Sequence, residues 1–523
     1  MARGCAGEPR GHRNVAQLGR GAVDRQCARH IQLVGRRGDW VARGAVPVRP
    51  ARRAAAVRRG QDTDRSRILG RTGPAVRGRP RPHRHGPRAT AAPRHGTHRR
   101  RLDVHAGADR AAVNVYFHTF GCKANQYDTE RVRQAFDASG ATVVDDPAFA
   151  DLAVINSCTV TNESEVKLRR LVRHVANSGH AQTIVMGCAA ALDSGAIAAL
   201  PSVRAVVANA EPDTVLRAAG FAGSVEVGAQ HAAPLHAAAR SRALLKIQDG
   251  CDEHCTFCAT TLARGNNRSR PVDELIEEAR ALAEQHAEIV LTGVHIGTYG
   301  HDRSHAGTTA RHTLGALLEA LITAVPTVRF RLGSVEATEV DDTLARLLID
   351  APRNLAAHLH APLQSGSNRV LRRMGRHWYT AESYRARIEW LAERMPVLGL
   401  GADVIAGFPG ETLEDHDSSL RLLESLPFSY LHVFPFSVRP DAPAARLAGQ
   451  LLPDVVRERA RELREVGEAK ATAYRAGRVG QTADGVVTGR GKGQIEVMTE
   501  DYLSVYLDTD LWDGRPRFEV TVN

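Results

Sequence analysis

From about residue 112 to residue 437 the chain repeats one unit, an apolar strand followed by an amphipathic helix. That alternation restricts it to parallel sheets covered by helices. "VNVYFHTF", "DLAVINS" and "QTIVMG" read as strands, with "TERVRQAFDASG" and "SEVKLRRLVRHVANSG" as the helices between them. A second series runs through "RALLKIQ", "EIVLTG", "VRFRLGSVE", "AAHLHAPLQ", "LGLGADVIAGFPG" and "YLHVFPFS", with a helix after each strand but the last. This gives about six β–α units, short of the eight of a closed (β/α) barrel.

The cysteines fall at special points of this pattern. Cys122, Cys158 and Cys188 each follow directly on a strand, in "FHTFGC", "VINSC" and "VMGC". Carboxyl ends of parallel strands point the same way and ligands bind there, so the three are expected on one rim. The alternative is three unrelated buried thiols. Cys251, Cys255 and Cys258 are crowded into "DGCDEHCTFCATTLARG" with the spacing C-x3-C-x2-C. Iron–sulfur clusters and structural zinc normally take four protein ligands. Three thiolates therefore leave one position open for a small molecule. Zinc closed by His254 is the rival, although His254 directly precedes Cys255 and is poorly placed to complete a tetrahedron. The chain has no export signal, so a disulfide framework is not expected.

Net charge is +12, but it is unevenly distributed. Residues 1–110 hold 27 Arg, no Lys and 7 acidic residues, and only 15 of Leu, Ile, Val and Phe; the rest of the chain holds 43 basic and 51 acidic residues. The leader composition is that of a disordered segment. It reads better as upstream GC-rich sequence translated from an early start than as a basic RNA-binding tail, and it is expected to be dispensable. No run of about 18 apolar residues marks a membrane span.

The expected organisation is a disordered Arg-rich leader (1–111), a parallel-sheet domain (112–227), a linker (228–241) and a partial barrel (242–452). A charged connecting helix (453–478) and a small β-barrel (479–523) of a kind that often binds RNA complete it. Polar or glycine residues just after barrel strands, namely Thr292, Gly293, Ser334, Glu336, Gln364 and Gly407, mark the functional face.

The motifs "TFGCKANQYDTE", "INSCTVTNESEVKLRR", "VMGC", "CDEHCTFC", "HLHAPLQSGSNRVLRRMGR", "DVIAGFPGET" and "HVFPFSVRPDAPAA", in this order from residue 113 onward, resemble the radical S-adenosylmethionine methylthiotransferases. The resemblance implies a methylthiotransferase domain, a radical S-adenosylmethionine barrel and a C-terminal TRAM barrel. It implies two 4Fe–4S clusters: Cys251, Cys255 and Cys258 would hold the radical cluster, whose open iron binds S-adenosyl-L-methionine, and Cys122, Cys158 and Cys188 the auxiliary cluster that carries sulfur. Thr292, Gly293, Glu336, Gln364, Ile405 and Gly407 become candidates for binding S-adenosylmethionine, against ordinary packing at strand ends. Arg264, Arg268 and Arg270 become candidates for tRNA phosphates, against a solvated charge run.

Lys123 after the first cysteine, and "TVTN" at the second, are similar to the members acting on N6-threonylcarbamoyladenosine at position 37 of tRNA rather than on isopentenyladenosine or a ribosomal protein. One S-adenosylmethionine would methylate sulfur and a second would give the 5′-deoxyadenosyl radical that takes the C2 hydrogen. The implied partners are a tRNA anticodon loop, an electron donor such as flavodoxin or ferredoxin, and a sulfur donor. A cytoplasmic monomer without membrane attachment is expected. One stretch departs from the family: "ATTLARG", Ala259 to Gly265, replaces an Ile-Ile-Pro-like segment. A non-catalytic, zinc-stabilised RNA-binding protein is the reading from another class.

Overall fold

The computed structural model describes residues 113–159, 162–221, 242–303 and 312–523. The leader and the linker lie outside them, as do Val160 and Thr161 of the "TVTN" signature. The first sheet holds β1 (Asn114–Thr119), β2 (Thr142–Val144), β3 (Leu152–Ser157), β4 (Gln182–Gly187) and β5 (Val203–Val207), all parallel, in the order β2-β1-β3-β4-β5. Its helices are α1 (Lys123–Ala138), α2 (Asn162–Ser178), the single turn α3 (Cys188–Ala191) and α4 (Pro212–Ala219). Side chains alternate along the strands and give the sheet two buried faces. Val154, Ile184 and Met186 pack with Val132 and Phe136 of α1 and Val215 and Leu216 of α4, while Ile155 and Val185 pack with Leu168 and Val172 of α2.

The second layer system begins at β6 (Arg242–Lys246) and a short antiparallel pair, β7 (Gln248–Asp249) with β8 (Arg268–Ser269). It continues through β9 (Glu288–Thr292), β10 (Arg329–Leu332), β11 (His358–His360), β12 (Gly399–Ala406) and β13 (Tyr430–Pro435). Strands β6, β9 and β10 pair in parallel, as do β11, β12 and β13. Single bridges Phe330↔Leu355 and Ser334↔His360 join the two sets, which makes one run of six parallel strands. Its helices are α5 (Thr260–Arg264), α6 (Val272–Ala283), α7 (Leu314–Ala324), α8 (Asp342–Asp350), α9 (Asn368–Arg373), α10 (Ala381–Ala392) and α11 (Leu413–Ser425). Thr313, Asp341, Ser367, Thr380 and Thr412 cap the N-termini of α7 to α11, each side chain accepting from an amide inside its helix. No described helix is long and apolar enough to cross a membrane.

The barrel is apolar outside and charged inside. Ile289, Leu291, Phe330, Leu332, Leu359, Leu400 and Val404 join the core shared with the helices. Their neighbours Glu288, Thr292, Arg329, Arg331, His358, His360 and Asp403 face the other way. Helix α12 (Pro453–Arg478) leads to the antiparallel strands β14 (Thr482–Gly491), β15 (Gln494–Met498), β16 (Ser504–Asp508) and β17 (Arg517–Thr521), in the order β16-β15-β14-β17. This curled sheet covers the N-terminal end of the barrel. Arg331 donates to the carbonyls of Thr499 (2.8 Å) and Glu500 (3.1 Å), Arg329 to that of Met498 (3.2 Å), and Tyr502 stacks on His358 at 4.5 Å.

Glu288 anchors that junction. It is fully buried, with Arg242 Nε at 2.7 Å, Arg329 Nε at 2.6 Å and Arg331 Nε at 3.0 Å from its oxygens. Burial pushes its pKa up, but the three guanidinium groups outweigh it and hold the carboxyl well below the usual range. Its contribution to stability is therefore present above the unfolded carboxylate pKa and lost as pH falls. Glu288→Ala would leave buried cations without a counter-charge, and a loss of about 3–5 kcal/mol is expected, read as a lower midpoint of urea unfolding.

Candidate functional site

The loop after β7 is shaped by its backbone. Gly250 has φ +73°, and a Cβ there would lie 1.9 Å from the Asn266 carbonyl oxygen, so only glycine fits. The Cys251 amide donates to the Gly265 carbonyl (3.0 Å), and the Thr256 amide to that of Met374 (2.8 Å). Cys251, Cys255 and Cys258 are all half-buried and free. Burial pushes the Cys255 thiol up to about 12; Arg376 opposes the shift, and the charges of Cys258, Glu336 and Cys251 add to it. The three sulfurs thus share one electrostatic neighbourhood. Arg376 Nη1 reaches Cys255 Sγ at 3.4 Å and His295 Nδ1 lies 3.6 Å from Cys251 Sγ. His254, the zinc ligand considered from sequence, is exposed.

All six candidates for S-adenosylmethionine lie at or just beyond the carboxyl ends of β9 to β12. Thr292 closes β9, and a Cβ on Gly293 would meet the Gln248 carbonyl oxygen at 2.7 Å. Glu336 follows β10 and is clamped by Arg376 and by Trp378 Nε1 (2.5 Å). Gln364 holds φ +65°, a costly backbone for a non-glycine residue that tends to mark functional sites. Its amide donates to the Asp403 carbonyl (2.8 Å) and its carbonyl accepts from the Ile405 amide (2.9 Å). The Gly407 amide, at φ +75°, donates to Glu411 Oε2 (2.9 Å). Arg376, Trp378 and His295 were not singled out from sequence. Arg376 closes the motif "HLHAPLQSGSNRVLRRMGR" and Trp378 lies two residues beyond it, but only the fold brings these side chains and His295 to the cysteine loop.

The first three cysteines converge at the adjacent strands β1, β3 and β4. Cys122 occupies the cap of α1, Cys158 follows β3 and Cys188 opens α3. Asn125 stands between them, its Oδ1 at 3.8 Å from Cys122 Sγ and 4.0 Å from Cys188 Sγ. Its Nδ2 donates to the carbonyls of Phe120 (2.9 Å) and Ser157 (3.0 Å), which fixes the amide orientation. Burial pushes the Cys188 thiol up; Arg264 opposes that, and the charges of Cys122 and Cys158 add to it. Three thiols gathered without a disulfide between them suit a metal–sulfur group. Gly121 holds φ +103°, and a Cβ there would lie 2.8 Å from Cys158 Sγ. Gly121→Ala is expected to cost about 1–3 kcal/mol of backbone strain and to displace Cys158. Iron analysis of the variant should show loss of one cluster, about half the metal.

Arg264 joins Cys188 of one centre to Asp249, in the strand that leads into the loop of the other. It comes from the atypical stretch 259–265, which folds as α5 against α3. Its Nε reaches Cys188 Sγ (3.2 Å), Nη1 reaches Asp249 (2.8 Å), and Nη2 reaches Asn125 (2.6 Å) and Asp128 (2.9 Å). The side chain is 9% exposed, so its donors are committed inside the protein and the expected phosphate contact does not suit it. Arg270 is held by Glu278 (2.8 Å), Tyr127 (3.1 Å) and the Lys246 carbonyl (3.0 Å). Arg268 alone of the three keeps an open face, at 60% exposure. With Arg131, Lys246, Arg270 and Cys188 it lines a cavity of about 400 Å³.

Residues 114–208 match the family described as Uncharacterized protein family UPF0004, and residues 245–423 match the Radical SAM superfamily. Threonylcarbamoyladenosine tRNA methylthiotransferase MtaB of Bacillus subtilis (strain 168) is 37% identical over 383 residues, covering 69% of this chain and 82% of its own length. The protein of that name from Thermotoga maritima is 34% identical, covering 70% and 85%. A tRNA-2-methylthio-N(6)-dimethylallyladenosine synthase of Sorangium cellulosum is 32% identical, covering 72% and 81%. With two cysteine triples at strand ends and relatives of this identity over most of their length, the chain belongs to the radical S-adenosylmethionine methylthiotransferase family.

Proposed function

We propose that the chain adds a methylthio group at C2 of N6-threonylcarbamoyladenosine, at position 37 of tRNA. The observation that carries the reading is the pair of three-thiol centres, Cys122, Cys158 and Cys188 at the ends of adjacent strands and Cys251, Cys255 and Cys258 in the loop after β7. Family membership brings two 4Fe–4S clusters and S-adenosylmethionine. Cys251, Cys255 and Cys258 would hold the radical cluster, Cys122, Cys158 and Cys188 the auxiliary one. Thr292, Gly293, Glu336, Gln364, Ile405 and Gly407 would line the S-adenosylmethionine site. When bound, these groups supply the electron, the radical able to remove an aromatic hydrogen, the methyl group and the sulfur.

The chain's own residues position and shield. Arg376 and Arg264 place a cation against Cys255 and Cys188, which favours the thiolate that metal binding needs. Trp378 and Arg376 together fix Glu336 at the rim. Arg268, the most open cation of a cavity lined by both arginines and carboxylates, is the candidate contact for the anticodon-loop backbone, where phosphate contacts orient the RNA. Tyr506, at 55% exposure, and Arg490 stacked on Trp512 at 4.1 Å offer further contacts on the C-terminal sheet. An anticodon-loop base is already partly unstacked and costs only a few kcal/mol to present. The reading also calls for a flavodoxin- or ferredoxin-like electron donor, a sulfur donor and a cytoplasmic setting.

Nucleoside mass spectrometry of tRNA from a deletion strain tests the substrate. Loss of 2-methylthio-threonylcarbamoyladenosine, with the isopentenyl analogue kept, is the expected result; the reverse pattern overturns it.

A further inference from the structure

The stretch that follows β13 touches both cysteine centres. The Ala444 amide donates to the Thr256 carbonyl (2.8 Å), between Cys255 and Cys258. Earlier in the same stretch, Arg439 reaches the other centre: its Nη2 donates to Thr159 Oγ1 (2.5 Å), and Thr159 directly follows Cys158. The arginine side chain is 7% exposed. Its Nε and Nη1 are enclosed and have no hydrogen-bond partner among the described residues. Glu165 Oε1 lies 3.7 Å from Nη2, too far for a hydrogen bond, and Glu165 is itself exposed. The other buried arginines beside the cysteines are committed: Arg264 to Cys188, Asp249, Asn125 and Asp128, and Arg376 to Cys255, Glu336 and Tyr379. A buried guanidinium with two idle nitrogens is costly, and an unsatisfied group of this kind in a native structure calls for a ligand or an ion.

The surroundings limit what could occupy the place. Nε and Nη1 are shut off from solvent, so the ligand is small. A guanidinium selects an anion that accepts hydrogen bonds. Thr159 places this one beside the centre of Cys122, Cys158 and Cys188, which on the proposed reading carries the sulfur for transfer. Three thiolates leave a cluster there one position for an added group. Before methylation that sulfur is hydrosulfide and after it methanethiolate; both are small anions with lone pairs to spare. Three thiolates alone would repel either one, and a fixed cation offsets the repulsion. We propose, resting on that reading, that Arg439 is an anion-binding residue whose idle donors hold this small sulfur anion at the N-terminal centre.

The test uses the full chain, reconstituted, with Cys251, Cys255 and Cys258 replaced by alanine, so that only the N-terminal centre reports. Hydrosulfide, an anion, and imidazole, a neutral ligand for iron, are titrated separately. Binding is read from the electron paramagnetic resonance spectrum of the reduced protein. Arg439→Met is expected to weaken hydrosulfide about tenfold or more, the range of one charged hydrogen bond, and to leave imidazole unchanged. Arg439→Lys should recover part of the loss. Unchanged hydrosulfide affinity in Arg439→Met overturns the proposal. So does an equal loss for both ligands, which marks a structural role, and so does loss of iron from both Arg439→Met and Arg439→Gln. Failure of the underlying reading shows separately, as absence of iron from this centre while Arg439 is intact.

Discussion

Cys255→Ala is expected to abolish both reductive cleavage of S-adenosylmethionine and methylthiolation. Cys255 is the middle thiol of its loop and meets Arg376 at 3.4 Å, and Arg376 in turn binds Glu336, one of the residues proposed to line the S-adenosylmethionine site. Two thiolates do not retain a cluster that normally uses three or four. Removing this sulfur also leaves the cation of Arg376 facing a void. Turnover should fall below detection, since the cluster whose open iron would bind S-adenosylmethionine loses one of its three ligands. Liquid chromatography of 5′-deoxyadenosine after dithionite reduction reads the first loss, and nucleoside mass spectrometry the second. Persistent cleavage in this variant would remove the C-x3-C-x2-C loop from its assigned role.

Cys158→Ala should separate the two activities. Cys158 is buried beside Gly121 on the other sheet, and the substitution deletes one sulfur without adding bulk. The loop from Cys251 to Cys258 is held by its own contacts to Gly265 and Met374, so its cluster is expected to survive. Cleavage to 5′-deoxyadenosine should continue at close to the wild-type rate, product should vanish, and iron should drop by about half. Replacing all three of Cys122, Cys158 and Cys188 should give the same outcome. Product formation by either variant would contradict the assignment of sulfur transfer to this centre.

Much of this was legible in the sequence because strand ends are. "FHTFGC", "VINSC" and "VMGC" place a cysteine directly after each apolar run, and parallel pairing of β1, β3 and β4 brings such positions together wherever the fold is doubly wound. The six barrel strands were found for the same reason. The short strands β2 and β5 were passed over, as was α4, because three to eight residues carry little periodicity. The misreading of Arg264 has a clear cause. An arginine in a polar, charged loop looks the same whether it reaches solvent or is inserted between domains, and only the tertiary position of Asp128, Asn125 and Asp249 distinguishes the two. The charged barrel interior was also hidden. "EIVLTG" and "VRFRLG" alternate as strands do, yet Glu288, Arg329 and Arg331 point to the enclosed side, against the usual rule that charge faces water. The docking of the C-terminal sheet rests on backbone carbonyls of Met498, Thr499 and Glu500, which no side-chain pattern announces.

The central claim is that one chain holds two separate iron–sulfur centres. It is tested most directly by iron and acid-labile sulfide analysis of the anaerobically purified and reconstituted wild-type chain, with its visible spectrum. The account predicts a brown protein with about eight iron and eight sulfide per chain, four of each at either centre. A colourless protein containing zinc, or about four iron unaffected by replacing Cys122, Cys158 and Cys188, would contradict it.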